Sequence, residues 1–331
     1  MYSVYIIELF YIINIDEISV YEKGQRINVC YNNTIFIQEG HNMLVTTREL
    51  IENAVKRNIG VGAFNVTTLS MLQGIIEAAE DVGEGIIIEF STSHETRGIV
   101  TLDEIGPVMM QYAKRAKVPV AVHLDHGVDL DYLKKAIDIG FTSIMYDGSR
   151  LPYEENIANT VKAVELGRRY GVMVEGELGK MAGNTMTNDY KMEIRDVKRE
   201  NYTNPDQAGD FVRKTGLDML ACSFGNAHGM YKEPPVLDIE LLAEIREKAQ
   251  IPLVMHGSSG INEEDYAKVI KNGVRKINYY TYASLAASNA VRGAFESDPA
   301  KFWKVHELAV LMREAVREKV RSAIVLFSHP Q

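Results

Sequence analysis

Cysteine is nearly absent: Cys30 and Cys222 stand far apart in a chain of 331 residues. Two distant thiols exclude a disulfide framework and suit a reducing cytosol, so a cytoplasmic location is the expectation. Basic blocks are missing too, and the formal net charge is −9. Neither nucleic acid nor an anionic membrane is therefore expected as the main partner, although a local basic site for a phosphate remains compatible with that balance. No apolar run is long enough to span a bilayer. No Gly-x-Gly-x-x-Gly follows an early strand, which counts against an open doubly wound sheet. No Pro/Ser/Gly linker interrupts residues 43–331, so that stretch reads as one domain.

What is present is regular. Hydrophobic residues make up 46% of the chain, enough to fill a sizeable core. From Met43 onward, short apolar runs alternate with segments of helical spacing. The runs are VGAFNV (61–66), GIIIEFS (85–91), VPVAVHLDH, FTSIMYDGS (141–149), VMVEGELG (172–179), LDMLACSFG (217–225), IPLVMHGSSG (251–260) and VRKINYYT (274–281). The helical stretches include 69–83, 101–117 with a proline near its first turn, 129–140 closed by glycine, 153–171, 204–216, 238–249 and 262–273. Strict alternation with strands apolar on both faces predicts an α/β chain folded as a closed parallel (β/α)8 TIM barrel. A long helical region from Tyr282 onward adds C-terminal helices.

The first 42 residues stand apart. MYSVYIIELFYIINIDEISVY is rich in Ile and Tyr, lacks a basic start and carries Glu8, Asp16 and Glu17, so it makes a poor signal peptide. An extra strand or hairpin is one reading. The other is a start codon assigned too far upstream: IQEGHNM (37–43) can be encoded by codons containing AGGAGG shortly before the ATG of Met43.

In a barrel the active site lies at the C-terminal ends of the strands. The polar residues there are Asn65, Ser91, Asp125, His126, Asp147, Glu175, Glu177, His228, His256 and Asn278. The strand from Val120 to Leu124 raises a pointed question, because it finishes in Asp, His and Gly, chemistry that a core does not need. Three of the eight histidines, His126, His228 and His256, meet on this rim. Three neutral imidazoles form a normal catalytic zinc set with a fourth position left for substrate or water. His94 is the rival ligand; His123 is expected to pack or to orient a neighbour, and His41, His306 and His329 receive no role. The stretches NAHGMYK (226–232), HGSSG (256–260) and NYYT (278–281) supply glycine backbone, hydroxyls and a lysine, which suits a phosphate at the usual barrel position after strands seven and eight. Simple tight turns are the plainer reading of the same residues.

HLDHG, DGSRLPYEENI, VEGELG, GNAHGMYK, HGSSGI and KINYYT occur in an order and spacing that resemble the class II, zinc-dependent ketose-bisphosphate aldolases, a group containing the fructose- and tagatose-bisphosphate aldolases. The resemblance covers roughly residues 43–290. It implies a cytosolic (β/α)8 lyase, a homodimer or homotetramer, with one catalytic Zn2+ per chain and a sugar phosphate as substrate. Carried over by position, His126, His228 and His256 resemble the zinc ligands, and Asp125 the acid/base that exchanges a proton with the substrate hydroxyl. Asn65 and Asn278 resemble residues that hold the triose and the enediolate that zinc stabilises, and Ser91 is a further substrate-binding candidate. Gly229, Lys232, Gly257, Ser258, Ser259 and Thr281 match the binding region for the dihydroxyacetone phosphate end, where a monovalent cation is a further candidate. Asp147 and Glu177 match positions that hold a second or displaced metal ion in some members.

Two departures concern the aldehyde end. The family loop after strand five usually reads Gly-Gly-x-Glu-Asp, whereas this chain has KMAGNTMTNDY (180–190), with Asn184 or Thr185 near the place of the glutamate. Strand eight continues into Tyr279, Tyr280 and Tyr282, expected to add bulk and hydroxyls near the substrate. With no cation cluster evident at that end beyond Arg97 and Lys180, the expected acceptor is an unphosphorylated aldehyde and glyceraldehyde 3-phosphate a poor one. An ordinary fructose- or tagatose-1,6-bisphosphate aldolase, a non-catalytic sugar-phosphate-binding barrel, and a metal-dependent hydrolase or isomerase on the same fold are the alternatives.

If the start lies at Met43, intact-mass measurement on protein from the native host will give a chain lacking residues 1–42. A mass that includes them would sink the idea.

Overall fold

A computed structural model describes residues 42–180, 199–229 and 235–330, together with the backbone of five short strands in the first 41 residues. Those five form a unit of their own. Ile6–Ile7, Phe10–Ile13 and Ile35–Ile37 make an antiparallel three-stranded sheet, and Ile18–Glu22 pairs with Gln25–Val29 as a hairpin.

The second unit closes eight parallel strands into a barrel in chain order. They are β1 (Val61–Asn65), β2 (Ile86–Ser91), β3 (Val120–Gly127), β4 (Ser143–Tyr146), β5 (Met173–Leu178), β6 (Met219–Cys222), β7 (Leu253–Met255) and β8 (Val274–Asn278). This is the (β/α)8 fold expected from the alternation. Every strand residue except His126 is buried, because helices cover the outside while side chains fill the inside.

Eleven helices accompany the strands among the described residues: α1 (Thr47–Arg57), α2 (Leu69–Val82), α3 (Thr92–Thr96), α4 (Leu102–Arg115), α5 (Leu130–Ile139), α6 (Tyr153–Tyr170), α7 (Pro205–Thr215), α8 (Ile239–Ala249), α9 (Glu263–Lys271), α10 (Thr281–Ser297) and α11 (Val305–Ser328). Local chemistry sets their ends. Thr101 and Glu104 form a reciprocal capping box at α4, and Asp129 caps α5 by accepting from the Tyr132 N–H. Gly140 ends α5 at φ 111°, a conformation that costs a residue with a Cβ. Pro107 lies in the second turn of α4 rather than the first; its ring is on the exposed face. The C-terminal region is two helices. Gly74 of α2 lets α11 approach so closely that an added Cβ would lie 2.5 Å from the Arg313 carbonyl oxygen.

The barrel interior is layered. At its floor α1 packs Leu50, Ile51 and Ala54 against Val61, Ile87, Ala121, Met173, Met219 and Val254, a separate apolar cluster. Thr47 Oγ1 lies 2.7 Å from Ser143 Oγ, which in turn lies 2.8 Å from His123 Nδ1. Alternation along each strand then places Glu89, His123, Glu175 and Lys276 one level up, and Asn65, Ser91, Asp125, Glu177 and Asn278 above them. The mouth is thus polar because a charged layer separates it from the apolar floor.

Candidate active site

Consecutive strand residues point to opposite faces, so Asp125 and His126 would not normally share one. Here the β3–β4 register shifts between Leu124 and Gly127, and His126 takes φ 53°. The irregularity extends β3 past the Leu124 expected as its end and turns both side chains into the mouth. Thr92 Oγ1, on α3, donates to the His126 carbonyl at 2.6 Å and holds this strained turn.

His126, His228 and His256 converge there, with one donor nitrogen from each lying within 4.8 Å of the other two. A tetrahedral ion with bonds of about 2.0–2.1 Å holds its ligand atoms about 3.4 Å apart, so modest side-chain rotations would close this set on one metal. Close approach of two loops brings His228 and His256 together. Gly257 sits at φ 61°, and a Cβ there would lie 2.0 Å from the Ala227 carbonyl oxygen. Asn226 staples the loops: its amide donates to the His256 carbonyl at 3.0 Å and accepts from the Phe224 N–H at 2.8 Å.

In two of the three imidazoles the other ring nitrogen is held by a carboxylate. His126 Nδ1 lies 2.9 Å from Asp147 Oδ2, and His256 Nε2 lies 2.8 Å from Glu175 Oε1. That leaves His256 Nδ1 buried without a hydrogen-bond partner, and Glu177 Oε2, 3.9 Å away, equally unpartnered. Two orphaned polar atoms in the wall of a three-imidazole cluster fit a cation at this place, since buried polar groups otherwise find partners. His126, Asp147 and Glu177 form a second, overlapping group of the same kind. His94 belongs to none of these groups; it is buried and stacked against Tyr280 with ring centroids 5.4 Å apart.

Asp125 is held on both oxygens. Asn65 donates to Oδ2 and Asn278 to Oδ1, each at 3.2 Å, and His126 Nε2 lies 3.8 Å from Oδ1. Below it, Lys276 Nζ donates to Asn278 Oδ1 at 2.7 Å and pairs with Glu175 at 3.0 Å and Glu89 at 3.2 Å. Residue-by-residue inspection of the sequence misses Lys276, Glu89 and Asn226. Only inward parity along β2 and β8, counted from Asn65-type rim residues, carried a signal for the first two.

Burial and charge divide the titrating groups. Burial pushes His228 and His123 down to about 3, and lowers His256 as well, so these imidazoles are neutral and able to ligate. Burial alone would also lower His126, but Asp125 and Asp147 raise it to about 10; the carboxylates call for positive charge at that position. Burial opposes ionisation of Asp125, yet the positive charges of His126 and Lys276 hold its carboxyl well below the usual range. Burial raises Glu89 to about 8, against the pull of Lys276. Lys276 itself is raised despite its burial, by Glu175 and Glu89, so it has no free amine lone pair for imine chemistry with a ketone.

The phosphate candidates divide. Ser259 and Thr281 lie at the start of α10, where Ser259 Oγ accepts from the Tyr282 N–H at 3.3 Å, while Gly257 packs on the Ala227 backbone. Ser258 Oγ is committed to the Asn278 carbonyl at 2.5 Å. Gly229 follows His228 at φ 110°. Lys232 and residues 181–198, with Asn184 and Thr185, lie outside the described residues. The expected three-tyrosine crowding is corrected: Tyr279 turns into the core against Phe64 and Phe327, Lys319 lies over the Tyr282 ring, and Tyr280 alone stacks on a residue of the β2 loop. The expectation of a rim without clustered cations is corrected too. A cavity of about 400 Å³ opens beside His126 and Asp147 and is lined by Thr92, Thr96, Arg97 and Arg150, on the β2–β4 side opposite β7 and β8. Arg97 had been visible in the sequence, but Arg150, which lines the same cavity, had not.

A family model described as class-II fructose-bisphosphate aldolase matches residues 45–330. The YdjI protein of Escherichia coli strain K12 is 35% identical over 285 residues, covering 86% of this chain and 98% of its own. The sulfofructosephosphate aldolase of Alkalicoccus urumqiensis is 35% identical over 283 residues, with 86% and 96% covered. The X-ray crystal structure of the YdjI aldolase from Escherichia coli K12 matches with a TM-score of 0.74 at 34% identity, over 86% of this chain and 97% of that one. The fructose-bisphosphate aldolase structure from Campylobacter jejuni shares the fold, with a TM-score of 0.70 at 21% identity over 86% and 95%.

Metal analysis of the purified protein should find about one zinc-type ion per chain at the three-imidazole cluster. His256→Ala should lose the ion and the activity together; full activity in a metal-free variant would refute the assignment.

Proposed function

The chain belongs to the class II fructose-bisphosphate aldolase family and is an aldolase, a carbon–carbon lyase; from that premise we propose that it joins dihydroxyacetone phosphate to an aldehyde, and splits the product, with Zn2+ at His126, His228 and His256. The observation that carries this reading is the Asp125 carboxylate, fixed by two amides beside the imidazole cluster. When bound, the metal supplies Lewis acidity toward the ketone beside the bond that breaks. Ionised Asp125 takes the proton from the substrate hydroxyl, the bond between that carbon and the triose breaks, and the electron pair stays with the triose. Asn65 and Asn278 keep the carboxylate aimed, and their amide hydrogens favour its charged form. The start of α10, with Gly257, Ser259 and Thr281, receives the triose phosphate. A non-catalytic barrel would have no use for a carboxylate held in this way.

The far end of the substrate lies in the Arg97–Arg150 cavity. Arg97 and Arg150 in its wall suit an anionic group at that end of the substrate. We take that group to be a sulfonate or carboxylate on a ketose 1-phosphate. The relative named sulfofructosephosphate aldolase supports this, its name denoting one phosphate and a sulfo group.

Asp125→Ala should keep its metal and its affinity for dihydroxyacetone phosphate while turnover falls by roughly 10²–10⁴-fold. Loss of zinc instead would make Asp125 a ligand.

Cleavage rates should separate the substrate classes. A sulfo- or carboxy-ketose 1-phosphate should exceed fructose 1-phosphate, fructose 1,6-bisphosphate and tagatose 1,6-bisphosphate in kcat/KM. A bisphosphate ahead by tenfold, about 1.4 kcal/mol of transition-state binding, would make this an ordinary bisphosphate aldolase.

A further inference from the structure

Among the described residues Lys276 is the one cation in the charged layer of the barrel, and two of its three oxygen neighbours lead to different parts of the site. The hydrogen bond to Asn278 Oδ1, at 2.7 Å, settles which end of that amide faces the mouth. With the oxygen drawn inward, the NH2 is left to donate to Asp125 Oδ1 at 3.2 Å. Were the amide reversed, its oxygen would face the carboxylate and repel it. The ion pair to Glu175 Oε2, at 3.0 Å, holds the carboxylate whose other oxygen lies 2.8 Å from His256 Nε2. That contact fixes the His256 ring so that Nδ1 is the nitrogen presented to the cluster. Glu89, 3.2 Å from the ammonium, closes the third side. Lys276 is fully buried and lies one level below the mouth, behind Asn278 and beside Glu175.

We propose that Lys276 is a positioning residue for the aldol reaction, one buried ammonium that sets both the proton-transfer carboxylate, through Asn278, and one metal ligand, through Glu175. The assignment rests on the roles given above to Asp125 and His256. Its two arms reach separate readouts. The Asn278 arm governs turnover, and the Glu175 arm governs how firmly the metal is held. Outer partners of this kind alter metal affinity or activity by about 10–100-fold when removed.

The test compares wild type with Lys276→Met/Glu89→Gln, which removes the ammonium together with the carboxylate facing it, and with Lys276→Arg, which keeps the charge but not the donor directions. Four quantities are read on the full chain: melting temperature, rate of metal release to a chelator, and kcat and KM for whichever of fructose 1-phosphate and fructose 1,6-bisphosphate the enzyme cleaves faster. In the folded double variant, kcat should fall about 10–100-fold with KM within threefold, and metal release should quicken about tenfold or more. A folded double variant with kcat and metal release both within twofold of wild type would overturn the proposal, as would a rise in KM at unchanged kcat. Should the double variant not fold, Lys276→Arg decides: a tenfold loss of kcat at an unchanged melting temperature supports positioning, and wild-type kcat and metal release overturn it. Failure of the proton-transfer reading is distinguishable, because Asp125→Ala would then retain full turnover while the metal-release arm still stands.

Discussion

The site depends on an ammonium placed where the solvent cannot reach it. Lys276, Glu175 and Glu89 are fully buried in the barrel axis. Removing charges from water costs several kcal/mol per ion, and an apolar replacement of similar volume is often no less stable. The layer is therefore poor economy for stability alone. What it provides is direction: the Asn278 oxygen is drawn inward so that its NH2 meets Asp125, and the Glu175 carboxylate is held beside His256. Breaking such a cluster by deleting one member typically costs about 3–5 kcal/mol, because the others are left as uncompensated charges.

Above this layer, backbone devices do the aiming. The β3 irregularity and the left-handed His126 bring neighbours in sequence onto one face. The close approach at Gly257 and the Asn226 staple bring together two histidines from loops 28 residues apart in sequence (256 − 228 = 28). Each device stores some strain or polarity that the surrounding barrel, closed by hydrogen bonds on every strand, can hold in place.

The fold was legible because its strands are short, apolar and β-branched and recur between helices of clear period. The histidines and Asp125 were legible because strand ends are where barrels place chemistry. The charged layer was not. When a strand is buried on both faces, parity cannot be read from hydrophobicity, so VRKIN does not announce that its lysine points inward. Nor could sequence reveal that Tyr279 turns to the core while Tyr280 stacks on His94, since one residue of register decides each. Arg150 escaped notice because its loop shares a cavity with Arg97 only once β2 and β4 are set in the barrel.

The cavity beside His126 has a different kind of anchorage from the reaction centre. Its arginines hang on α3 and on the turn after β4, whereas Asp125, Asn278 and His256 are fixed to strand ends and to the charges beneath them. On the proposed reading, recognition of the aldehyde would then be a detachable module. Rewriting a few residues in two short segments would retune which sugars the barrel accepts, while the machinery that breaks the bond kept its setting.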